Sequence, residues 1–123
     1  MHRGDLAVAH IWNFIQNEVP EMANNTIMLV MPEHGRNYVS NAITDENDWY
    51  AFDHDGSDEN TRRIFSMMVG PGVDAGLSVG TAENPIGNAT DIVPTIAEIL
   101  GIKHQVMNTG LVHPTGRSLF DRI

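Results

Sequence analysis

The chain has 123 residues and is 41% hydrophobic, enough for one domain with a modest core that buries about two thirds of its unfolded surface. Seven Lys and Arg against 16 Asp and Glu leave a formal net charge of -9, which argues against a nucleic-acid footprint or adhesion to an anionic membrane. Cysteine is absent, so disulfides, thiolate catalysis and cysteine-ligated zinc are excluded and the compartment stays open.

At the N-terminus Asp5 and His10 interrupt what would otherwise be the apolar core of a signal peptide. No apolar window reaches the roughly 18 residues that span a bilayer. Asp5 instead suits the cap of a helix whose inward stripe holds Ala7, Ile11, Phe14, Ile15 and Met22, with Val19 beside it. Pro20 removes a backbone donor and ends that helix near Val19, and Asn24 and Asn25 turn the chain.

Residues 27–31 are an unbroken apolar run, which predicts a buried parallel strand, because a half-exposed strand alternates in polarity. Helix, turn and strand then read as the second half of a βαβ crossover whose first strand lies outside this chain. Glu33 and His34 fall just past the carboxyl end of the strand, where polar loops gather ligands in open α/β sheets. A carboxylate and an imidazole there suit a divalent cation, with Gly35 letting the backbone turn closely beneath them. A plain polar exit from the strand is the alternative.

Residues 38–62 make a long connection, which points to a binding loop or to weak strands. Acids concentrate over residues 45–59, a solvated face or a cation-binding one, and His54 within them favours chemistry. Trp49, Tyr50 and Phe52 read as a small satellite core rather than a stacking platform. A second apolar run, residues 64–69, stops at Gly70, Pro71 and Gly72, and Leu77 to Val79 suggests a brief edge strand. The glycines of GPGVDAGLSVG lack both the GxGxxG spacing and the P-loop Lys-Ser/Thr pair, so they do not read as a phosphate cradle.

Asp91 as N-cap starts the last clear helix, with Pro94 at its third position, an apolar stripe of Ile92, Ile96, Ile99 and Leu100, and Gly101 as the C-terminal glycine. Residues 102–123, with Pro114, Gly116, Leu119 and Phe120, read as an irregular tail that folds back and docks.

Three features taken together carry a family likeness: the apolar strand ending in Glu33-His34-Gly35, the His54-Asp55-Gly56 loop followed by residues 63–72 ending in a Pro-Gly pair, and TDIVPTIAEILGI closing with GRSLFDRI. In these the chain resembles the C-terminal portion of the alkaline phosphatase and sulfatase superfamily, metal-dependent hydrolases of phosphate and sulfate esters. The resemblance covers nearly the whole chain, and residues 90–102 are its most specific piece. It implies that His34 matches a metal-binding histidine, that Glu33 stands where the family places a metal-binding aspartate, and that His54 matches the later histidine of the other metal. Glutamate at 33 departs from the pattern and puts its oxygens about one methylene further out.

The family's nucleophile, its first metal-binding aspartate and a further Asp and His have no counterpart here. Ser40, Ser57, Ser66, Ser78 and Ser118 are misplaced for the nucleophile, His10 reads as a helix-surface residue and His2 as a frayed end. The expectation is therefore an α/β domain, residues 1–123, with a short, mostly parallel sheet, part of a three-layer α/β/α enzyme. Glu33, His34 and His54 would hold zinc or manganese, calcium being less suited, and the chain would be inactive alone. Exposed sheet edges would call for self-association or a partner chain, as a subunit of a split enzyme or as a non-catalytic interaction module.

Overall fold

The computed structural model describes residues 2–40, 54 and 56–123. The aromatic trio Trp49, Tyr50 and Phe52, Asp55, and most of the acidic stretch 45–59 lie outside the described residues. The chain divides into two compact units, Met1–Ala75 and Gly76–Ile123.

Unit 1 begins with helix α1, His2–Glu18, which packs against the single turn α2, Pro20–Ala23. Asp5 sits within the first turn of α1 rather than capping it, where its charge still complements the helix dipole. Pro20 opens α2, where its missing N–H costs no helical bond, and the Gln16 side chain donates to the Ala23 carbonyl at 3.1 Å, fastening the two helices. The half-buried stripe of α1 is Val8, Trp12, Ile15 and Gln16, continued by Val19. Ala7, Ile11, Phe14 and Met22, expected inside, are exposed. Apolar residues lie on two faces of this helix, so periodicity alone could not select the one that α2 covers.

Strand β1, Met28–Val30, pairs with β2, Met67–Val69, in a two-stranded sheet. The pairing is antiparallel, with Met28 opposite Val69, Leu29 opposite Met68 and Val30 opposite Met67. This overturns the expected mostly parallel, alkaline-phosphatase-like sheet. The described residues are mainly helical, and residues 77–79 form no strand. A three-residue apolar segment carries no alternation from which to read strand direction, and here the direction is imposed by the chain folding back on itself. Gly70, with φ of 144°, lies so close to β1 that a Cβ would stand 2.5 Å from the Thr26 carbonyl oxygen, so the return of β2 requires a residue with no side chain.

Between the strands, the one-turn helix α3, Glu59–Arg62, is capped by Asp58, whose side chain accepts from the Asn60 amide at 2.8 Å. Buried Thr61 secures the same turn, its hydroxyl donating to the Asp58 carbonyl at 2.7 Å.

Unit 2 is organised by a one-turn 3-10 helix, Ala89–Asp91, leading into α4, Ile92–Ile99, then α5, Lys103–Met107, and a closing 3-10 turn, Leu119–Arg122. Helix α4 ends as its glycine predicts: Gly101, φ 70°, donates to Glu98 and Ile102 donates to Ala97, the paired bonds of a Schellman motif. Asp91 stands at the N-cap position of α4, as its place in the sequence predicts, but its side chain makes no capping bond to that helix; it closes a capping box with Asn88, accepting the Asn88 amide at 2.8 Å, and turns its other oxygen toward the tail. The face of α4 that is buried carries Pro94, Thr95 and Ala97, whereas Val93, Ile96 and Leu100 are exposed.

The expected docking of the tail is present in polar form. The Asp91 Oδ1 accepts the Arg117 amide at 2.9 Å and the Arg122 Nη2 at 2.9 Å, while the Arg122 Nε stands 2.8 Å from Oδ2. Thr95, also fully buried, donates to the Asp91 carbonyl and accepts the Leu119 amide. Burial pushes the Asp91 carboxyl up, but the Arg122 hydrogen bond and the Arg117 and Asn88 amides outweigh it and hold the group below its ordinary value.

Candidate functional site

The residues that could carry chemistry collect in unit 1, just beyond the sheet. Glu33 and His34 follow β1 by a few residues, as the strand reading anticipated. His54, twenty residues further along the chain, folds back onto His34: the two imidazoles stack with centroids 3.7 Å apart and planes inclined by 23°. The Glu33 Oε2 lies 2.7 Å from the His34 Nε2. His34 thus contacts both Glu33 and His54, beside a sheet that is antiparallel. His10 is exposed on α1 and belongs to no such group.

Each nitrogen of His34 faces an oxygen. Nδ1 lies 2.6 Å from the Gly35 carbonyl, which can only accept, so this nitrogen donates. Nε2 is left facing the Glu33 carboxylate at 2.7 Å, a hydrogen-bond separation, on a side chain, His34, that is 28% exposed.

Two imidazoles and a carboxylate are the donor set that zinc or manganese takes from proteins lacking thiolates. The arrangement of the rings is less favourable. A ring-nitrogen lone pair lies in the ring plane, so nearly parallel stacked rings aim their lone pairs alongside one another rather than at one point. Among the described residues no three His, Asp or Glu side chains converge as a metal requires. Ligation by all three would require His54 to turn out of the stack.

A second arrangement, missed in the sequence, holds the loop that carries these groups. The Gly35 amide donates to the Thr61 carbonyl at 2.8 Å, the Asn60 side chain donates to the Arg36 carbonyl at 2.8 Å, and the Tyr38 amide donates to the Asp58 Oδ2 at 2.6 Å. The Val39 amide shares that oxygen at 3.3 Å. These ties run antiparallel like the sheet below them, with one residue of slip: the sheet register would set Arg36 against Thr61, and the tie sets it against Asn60. Gly35 is required for the approach, since a Cβ there would stand 2.0 Å from the Asn60 carbonyl oxygen. An Asp ahead of Glu-Asn is a cap signal legible in sequence, but its second oxygen reaching residues 38 and 39 is not.

No protein-family model, curated protein or solved structure matches the chain significantly. The likeness to phosphate and sulfate ester hydrolases rests on the motif residues alone. Among the described residues no helix is long and apolar enough to cross a membrane.

Proposed function

We propose that this chain supplies metal ligands, Glu33, His34 and His54, to a hydrolase of phosphate or sulfate esters, and that it is inactive by itself. The observation that carries the proposal is the meeting of His34 and His54 across twenty residues of sequence, with the Glu33 carboxylate on the His34 Nε2. Two borderline donors and one hard donor are a combination suited to zinc or manganese. A bound divalent cation there would supply Lewis-acid stabilisation of charge on the transferring group. The chain's own residues hold and orient: the Gly35 carbonyl on Nδ1 leaves Nε2 directed at the Glu33 carboxylate.

Calorimetric titration with zinc tests the reading. Binding is expected in the unaltered chain and is weakened in both His34→Ala and His54→Ala; equal affinity in all three refutes it. Turnover of an aryl phosphate or sulfate by the chain alone, lost in His34→Ala, would show the predicted inactivity to be wrong.

A second reading, a non-catalytic interaction module built on a partner chain or on self-association, is favoured by burial. Pro94 and Ala97 are the buried apolar side chains among the described residues, while Val93, Ile96 and Leu100 project along one side of α4. A concentration-independent monomeric mass in solution would count against it.

A further inference from the structure

We infer that Asp58 is a positioning residue for the His34 and His54 pair: its carboxylate ties the chain on either side of the two imidazoles, and so sets how often they meet. His34 lies four residues before Tyr38, and His54 lies four residues before Asp58. The bond from the Tyr38 amide to the Asp58 Oδ2, at 2.6 Å, therefore joins the two arms at equal distances from the rings. The Gly35 to Thr61 and Arg36 to Asn60 bonds close rings of the same size, but the Asp58 tie is the one nearest His54 in sequence, four residues from it against six for Asn60.

The two carboxylate oxygens divide the work. Oδ1 accepts the Asn60 amide and starts α3, while Oδ2 accepts Tyr38 and Val39. The cap orients the carboxylate, and the second oxygen uses that orientation to catch the other arm. Gly35 lets that arm approach, and the Asn60 side chain on the Arg36 carbonyl keeps it in register. A residue that served only as a helix cap would need none of the second set of contacts.

The consequence for metal binding rests on the function proposed above, whereas the positioning itself does not. Losing this tie lengthens the free segment that carries His54 from about four residues to about six, which lowers the effective concentration of one imidazole at the other by about twofold for a flexible chain, so Asp58→Ala should weaken zinc binding by about twofold. It should also weaken the nuclear Overhauser contact between the His34 and His54 ring protons in metal-free protein, with cross-strand contacts between Leu29 and Met68 as the check that unit 1 remains folded. Thr61→Val serves as the comparison, because it deletes the hydroxyl bond to the Asp58 carbonyl and loosens α3 while leaving the carboxylate in place.

The expected result is a weakened ring contact in Asp58→Ala and its full retention in Thr61→Val. A ring contact of unchanged strength in Asp58→Ala overturns the inference, and so does its equal weakening in both variants, which would reduce Asp58 to a cap. If the unaltered chain binds no zinc but the ring contact follows Asp58, the positioning stands and the hydrolase reading fails.

Discussion

Asp58 in unit 1 and Asp91 in unit 2 use one device to different ends. Each is an aspartate at the start of a helical turn that spends one oxygen locally and sends the other to backbone amides far away in sequence. Asp91 is fully buried and ion-paired with Arg122, whereas Asp58 is half-buried and its bonds to Tyr38, Val39 and Asn60 are at the surface. A low local dielectric strengthens the first set of bonds and makes the loss of any one of them costly; water competes for the second set. The buried aspartate therefore sustains the fold of its unit, and the surface one governs the placement of a pair of side chains.

The largest expected effect comes from breaking the buried member. Asp91→Ala leaves the Arg122 guanidinium and the Asn88 and Arg117 amides without their acceptor and should destabilise unit 2 by about 3–5 kcal/mol, read from the urea midpoint. A shift of less than about 1 kcal/mol would mean that the tail docks by other means.

Next comes steric separation of the surface tie. Gly35→Ala sets a methyl against the Asn60 backbone, which cannot yield as a flexible side chain would, and overpacking of this kind costs about 1–3 kcal/mol. Faster amide exchange at Gly35 and Tyr38, with unit 2 unchanged, is the expected pattern. Unchanged exchange at both positions would show that the arms are not held together as described.

Acid should sharpen the contrast further. The Ser118 and Lys103 hydrogen bonds hold Glu98 below its ordinary 4.5, and Asp91 is held below its ordinary 3.8. For carboxyls whose folded values are depressed, the stabilisation is complete above the unfolded value and is lost as the pH falls through the folded one. The urea midpoint of unit 2 should thus be level above about pH 5 and fall progressively below pH 4.5, with Glu98→Gln removing the earlier part of the fall. A midpoint that is level down to pH 3 would contradict this.

The smallest effect belongs to Lys103, which bridges Glu98 at 3.0 Å and Asp121 at 2.7 Å at the surface. Exposed ion pairs are screened, so Lys103→Met should barely move the midpoint, and any difference should vanish in high salt. A large, salt-independent loss would place this bridge with the buried clamp.

What the sequence determined is local. The ends of α4 and β2 were legible at Gly101 and Gly70, because positive φ and close backbone approach select glycine irrespective of what surrounds it. The pairwise contacts of His34 with Glu33 and His54 join residues that the sequence singled out for their chemistry. Strand direction, the covered face of α1 and the roles of Asp58 and Asp91 were decided only by the tertiary structure. An unbroken apolar run fits either direction, a helix with two apolar faces fits either orientation, and an aspartate at a turn has a second oxygen whose partner is chosen by residues about twenty or more positions away. Such choices are made by which segments return to lie against one another, and no window of neighbouring residues contains that information.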